Sequence, residues 1–138
     1  MWILVDSTVW IDYFQGTATP QTDFLDHALG WNWIGVGDLI YAEVLSVYLD
    51  ERERELAETA LNRFRRLTLG GFDNARLAAR NTRILQAKGL PAPTVLESLI
   101  ATFAIENNLT LLHASPGFEP FENHLGLKVP SLGSPVRS

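Results

Sequence analysis

The chain has 138 residues, 46% of them hydrophobic, a formal net charge of -5 and no cysteine, so one self-folding domain is expected, without disulfides or thiolate metal sites. His27, His113 and His124 are too scattered for a zinc motif, and the acidic balance argues against nucleic-acid binding by bulk electrostatics. No apolar run approaches the roughly 18 residues of a membrane span, and the start lacks the pattern of a secretion signal, so the protein is expected in the cytoplasm and away from membranes.

Trp2-Ile3-Leu4-Val5 is a short, continuously apolar run, the pattern of a buried parallel strand, and it stops at Asp6. Ser7 or Thr8 then caps a helix through about Phe14, closed by Gly16. Thr22 to Leu29 reads as a second helix and Trp33 to Val36 as a second strand. Asp38 caps a third helix that runs to about Leu49 with Glu43 in its second turn. A charged fourth helix follows from about Asp50 to Arg66, in which Arg54 and Glu58 can pair one turn apart. Leu67-Thr68-Leu69 reads as a short strand, and Phe72 to Lys88 as an amphipathic helix ended by Gly89.

Leu90-Pro91-Ala92-Pro93 cannot continue a helix and delivers Thr94 as the cap of the next one, which runs to about Asn107. Thr110 to Leu112 is a strand, Ser115-Pro116-Gly117 a turn and Leu127 to Val129 a last short strand. A domain over residues 1–130 and a loose tail over 131–138 complete the reading. Short apolar strands alternating with longer helices predict an α/β domain, with a parallel sheet of about four to five short strands and helices on both faces. Ligands of such sheets sit beyond the carboxyl ends of the strands, which singles out Asp6 and the loop from His113 to Phe118.

Charge is distributed unevenly. No Lys or Arg precedes Arg52, so Asp6, Asp12, Asp23, Asp26, Asp38 and Glu43 have no internal countercharge. They form a solvated acidic surface or, in part, a cation site. Arg63, Arg65, Arg66, Arg76, Arg80, Arg83 and Lys88 concentrate in the middle of the chain, either as an RNA-facing stripe or as the charge of soluble helices.

Val5-Asp6-Ser7-Thr8-Val9-Trp10-Ile11-Asp12-Tyr13-Phe14 resembles the opening of PIN-domain ribonucleases, especially the VapC toxins of bacterial toxin-antitoxin pairs, whose usual text is close to V-D-T-S-V-W-I-D-Y-F. Gly37 to Leu45 resembles the family's helix bearing its second acid. Leu99-Ile100-Ala101 resembles the stretch after the third, and Leu111-Leu112-His113 with Phe118 the frame of the fourth. The resemblance implies a PIN-like fold and a Mg²⁺-dependent or Mn²⁺-dependent endoribonuclease that acts on RNA, pairs with an antitoxin and forms a homodimer. Carried over by position, Asp6, Glu43 and Glu97 are the metal-holding and catalytic acids, and Ser7 orients a ligand or water. The residue types suit the chemistry, because magnesium takes oxygen ligands and activates water for in-line attack on a phosphate.

The chain departs from the family where L-L-H-N-D-x-D-F is usual. It reads Leu111-Leu112-His113-Ala114-Ser115-Pro116-Gly117-Phe118, so both acids of that loop are absent. A weakened nuclease and a PIN scaffold that binds or dimerises without cutting therefore stand as alternatives. Restoring an acid, as in Gly117→Asp alone or with Ser115→Asp, is expected to raise metal affinity.

Each acid also has an ordinary structural role open to it. Asp6 can cap the first helix. Glu43, among apolar neighbours, needs a cation or a donor to compensate it. Thr94-Val95-Leu96-Glu97 spells a capping box, in which Glu97 reaches back to the Thr94 amide. His113 is expected to be a hydrogen-bonded structural residue, Asp12 to be exposed, and Trp31 and Trp33 to serve the core or a partner surface.

Overall fold

The computed structural model describes residues 2–30 and 33–132. Ile3, Leu4 and Val5 of strand β1 (Trp2–Val5) are all excluded from solvent, and because successive side chains of a strand point to opposite faces, both faces of the sheet are covered there. β1 pairs in parallel with β2 (Trp33–Gly37) on one side and β4 (Thr110–Leu112) on the other, and β3 (Arg65–Leu67) continues the sheet beyond β2. The order is β3-β2-β1-β4, within the four to five strands expected. Leu4 stands between Gly35 and Leu111, and Val5 pairs with Leu112.

The described residues form seven α-helices between and after these strands: α1 (Ser7–Phe14), α2 (Pro20–Ala28), α3 (Asp38–Ser46), α4 (Glu51–Leu61), α5 (Phe72–Ala87), α6 (Val95–Glu106) and α7 (Glu119–His124), with a 3₁₀ turn at Pro116–Phe118. α1 packs on α2 and α3, α3 on α4, and α5 on α6. Trp10, Leu25, Ile40, Leu61, Leu85, Ile100, Phe118 and Phe121 fill the core with the strands. None of the described helices is long and apolar enough to cross a membrane.

From β1 the chain moves outward to β2 and β3, then returns to place β4 on the other side of β1. The carboxyl ends of β1 and β4 therefore flank the point where strand order reverses, the usual ligand crevice of an open α/β sheet. The Asp6 amide, one residue past β1, donates to the Leu112 carbonyl at 3.0 Å and ties the two strand ends together.

Several boundaries differ from expectation. α2 begins at Pro20, because Thr19 and Thr22 form a reciprocal cap two residues earlier than the apolar pattern starts. α3 stops at Ser46 rather than Leu49, since Asp50 must sit in extended backbone to cap α4 through the Glu53 amide. α4 ends at Leu61, not Arg66, and the next strand is Arg65–Leu67 rather than Leu67 to Leu69. The run of charges hides that break, and pairing with β2 decides it through the backbone. Gly35 and Gly37 are small for a reason here, because a Cβ on either would fall inside contact distance of the Leu67 or Leu69 side chain.

Asp38 is not the cap of α3, a place taken by Gly37. Its Oδ1 accepts from the amides of Leu39 at 2.9 Å and Leu69 at 2.7 Å, which anchors the chain after β3. Leu127 to Val129 forms no strand, only a bridge of Lys128 with Thr110. The short α7 was not foreseen. Leu132 packs against the core, and residues 133–138 of the expected tail lie outside the described residues, as does Trp31. Trp33 is 59% exposed and leans on Trp2, while Asp12 is half-buried rather than exposed. The Arg54–Glu58 pair forms as expected, at 2.6 Å.

Candidate active site

Asp6 leaves β1 at the crevice because the buried strand ends one residue before it and the helix turns away one residue after. It holds the N-cap position of α1, yet its side chain makes no capping bond to the helix. It is 5% exposed. Burial pushes its carboxyl up to about 6, the adjacent Ser7 amide opposes this, Glu43 adds to the rise, His113 lowers it and Glu97 raises it further. A carboxylate buried with other acids and without its own capping bond is held against its electrostatic preference.

Glu43 projects from α3, which packs against α1. It is half-buried, and no side-chain hydrogen bond or ion pair to it occurs among the described residues. Glu97 comes from the first turn of α6. The capping box foreseen from Thr94 to Glu97 forms completely, with the Glu97 amide donating to Thr94 Oγ1 at 3.0 Å and Glu97 Oε1 accepting from the Thr94 amide at 2.9 Å. Only one carboxylate oxygen is used, so the cap leaves Oε2 free of that bond.

These three acids line one pocket of about 190 Å³, together with Ser7, Thr8, Thr94, Ser115 and Phe118. Ser115 and Phe118 belong to the loop after β4 that the strand-end rule singled out, and the position of β4 beside β1 brings them here. Thr8 was not singled out as a pocket residue by sequence and follows from the turn into α1. Among the described residues no group of three or more His, Cys, Asp or Glu side chains stands close enough together to hold a metal ion as placed. The pocket's carboxylates are nevertheless donors of the type a hard divalent cation takes: Asp6 is buried near other acids, Glu43 has no competing side-chain partner among the described residues, and Glu97 keeps an uncapped oxygen. Three separate elements supply oxygen donors only, the set that suits Mg²⁺ or Mn²⁺ with water completing the coordination.

The loop after β4 is arranged differently. His113 Nδ1 accepts from the Ser115 amide at 3.1 Å, so Nε2 carries the ring proton and donates to Glu122 Oε2 at 2.7 Å. The ring also lies against buried Phe118, with centroids 4.8 Å apart. The histidine is thus a hydrogen-bonded structural residue, as expected. Its partner Glu122, on the unforeseen α7, had no sequence signal.

Gly117 bears directly on the restorative substitution. A Cβ at this position would fall far inside contact distance of Glu97 Oε2 and Cδ and 2.9 Å from Oε1. An aspartate at 117 therefore requires the Glu97 carboxylate to shift, because the two side chains claim the same space.

No protein-family model matches the chain. A VapC ribonuclease of Mycobacterium bovis is 24% identical over 132 residues, covering 94% of this chain and 98% of that protein. Among solved structures, the chain is similar to VapBC2 of Rickettsia felis bound to a DNA fragment from its promoter, with a TM-score of 0.73 and 17% identity over 96% of this chain and 100% of that one. It is also similar to a toxin-antitoxin complex of Klebsiella pneumoniae, with a TM-score of 0.67 and 17% identity over 95% of this chain and 99% of that one. The PIN-like, VapC-type fold expected from the opening residues is borne out.

Proposed function

We propose that the protein is a metal-dependent endoribonuclease of the VapC type, with Asp6, Glu43 and Glu97 holding one Mg²⁺ or Mn²⁺ at the crevice between β1 and β4. The observation that carries this reading is the meeting of three acids from three distant segments in one pocket, with Asp6 buried and its carboxyl raised to about 6 chiefly by burial. A bound divalent cation supplies charge neutralisation of the phosphate and activation of water. The chain's own groups do the rest. Asp6 and Glu43 provide the negative field that concentrates the ion, the Ser7 hydroxyl beside Asp6 orients a water or phosphate oxygen, and the cap at Thr94 limits the freedom of Glu97. Arg76, Arg80 and Arg83, exposed on α5 at helical spacing, offer a track for the RNA backbone, so binding should weaken with salt. An antitoxin and a second copy of the chain are the proposed protein partners, in line with the toxin-antitoxin complexes that share the fold.

The test is cleavage of structured RNA with and without Mn²⁺. Activity should require the ion and fall by at least about 100-fold in Asp6→Asn, the scale of losing a principal electrostatic contributor. Cleavage that continues unchanged in that variant would discard the mechanism.

A second reading, a scaffold that binds partners without cutting, is favoured by the loop at 114–117, which carries no acid. It predicts no metal-induced rise in melting temperature, whereas an ion bound only by the folded chain must raise it.

A further inference from the structure

We infer that Gly117 is a positioning residue for Glu97: by lacking a side chain, it leaves the one volume in which the Glu97 carboxylate can cap α6 and face the pocket at the same time. For the cation, this rests on the function proposed above; for the packing, it rests on geometry alone.

Gly117 is not required by its backbone. The described residues with φ in the left-handed region are Gly16, Gly89, Gly126 and Asn108, and Gly117, inside the 3₁₀ turn, is not among them. What it supplies is space. A Cβ here would meet all three atoms of the Glu97 carboxyl group, and no other atom would come as near. Gly35 and Gly37 face leucine side chains of the core, whereas Gly117 faces a charged group that lines the pocket.

The loop has little freedom to retreat from a larger residue. Phe118, next in sequence, is 2% exposed. Ser115 is held through its amide to His113, and its Oγ accepts from the Gly117 amide at 3.3 Å. The Glu97 carboxylate is the free end of a flexible side chain, so it is the part that yields. Yielding breaks its bond to the Thr94 amide and removes one of the three charges from the pocket. The additional methylene of glutamate over aspartate and the missing side chain at 117 are two halves of one fit: residues 97 and 117 share a volume that only one of them can fill.

A double-mutant cycle tests this on the full chain. Gly117→Ala should lower the melting temperature by about 3–5 °C, the scale of losing one capping bond in a domain of this size. Glu97→Ala should do the same. The double variant should lose no more than Glu97→Ala alone, because the added methyl then enters vacated space. Additive losses in the double variant, or an unchanged melting temperature in Gly117→Ala, would overturn the pairing.

The role at the pocket is read from the Mn²⁺-induced rise in melting temperature, with Asp50→Ala as control. Asp50→Ala removes the cap of α4, whose residues do not line the pocket, so it should keep the rise; Gly117→Ala should reduce it at least about threefold in apparent affinity. Equal responses in the two variants would make Gly117 merely structural and overturn its positioning role. Absence of any Mn²⁺ response in the parent chain, with the cycle still coupled, would instead reject the proposed metal site and support the packing pair.

Discussion

The ends of β1 and β4 are adjacent and tied by one backbone hydrogen bond, yet they solve opposite problems. Beyond β4, every conspicuous polar group has a local partner: His113 bridges the Ser115 amide and Glu122, and Ser115 Oγ takes the Gly117 amide. Beyond β1, Asp6 is buried with no capping bond, and its carboxyl is driven up to about 6 by burial and acidic neighbours. Self-satisfied polar groups stabilise a loop, whereas a buried carboxylate raised in this way costs stability and is the kind of group that marks a candidate site. The contrast also shows why absence of acids after β4 need not dismantle the pocket. That loop has become a fixed wall, and its glycine makes room for Glu97.

Breaking the β1 side should have the largest effect on stability. The proton on Asp6 is held more tightly in the folded chain than in the unfolded one, so its contribution is fully present below about 3.8 and is lost as pH rises to about 6. Above that window the ionised group opposes folding by up to about 3 kcal/mol, at 1.36 kcal/mol for each pKa unit. Asp6→Asn should therefore raise the melting temperature of the metal-free protein at pH 7.5, and the gain should shrink towards pH 4. A gain that is independent of pH would show that Asp6 is not the frustrated group. Metal binding should follow the opposite course in the parent chain, weakening as pH falls through about 6 because the ion competes with the proton.

Breaking the β4 side should have the reverse character. Glu122→Ala leaves the largely buried Nε2 proton of His113 without its acceptor and should cost about 1–3 kcal/mol in chemical denaturation. The Mn²⁺ response should remain within about twofold of the parent. A loss of metal response without a loss of stability would mean that the loop does more than support.

The smallest effect belongs to the shared helix start. Thr94→Ala should destabilise by about 1 kcal/mol, as loss of an N-cap does, since Glu97 Oε1 keeps the Thr94 amide. A cost well above that would indicate that Glu97 leaves with its partner. The change would be visible as altered cleavage as well as altered stability.

Local chemistry announced much of this protein. The unbroken apolar run before Asp6 marked a central strand, Thr94 and Glu97 spelled their capping box, Gly89 and the prolines marked the break before α6, and the opening residues carried the resemblance that the fold bears out. These features depend on neighbours within a few positions, which is why they are readable from text. α4 and β3 were merged because their continuous charge concealed a strand held by backbone pairing, and α7 and Glu122 left no periodic trace.

Only the tertiary structure could bring Asp6, Glu43 and Glu97 to one pocket, reveal that Asp6 lacks a capping bond, and place Gly117 against the Glu97 carboxylate. The amino-acid sequence by itself determined the strand and helix alphabet and the oxygen-only character of the candidate ligands. Sheet order and packing decided which of those oxygens meet and which volumes two side chains must share, because distance through space, burial and steric exclusion arise only when segments nearly 100 residues apart are folded against one another.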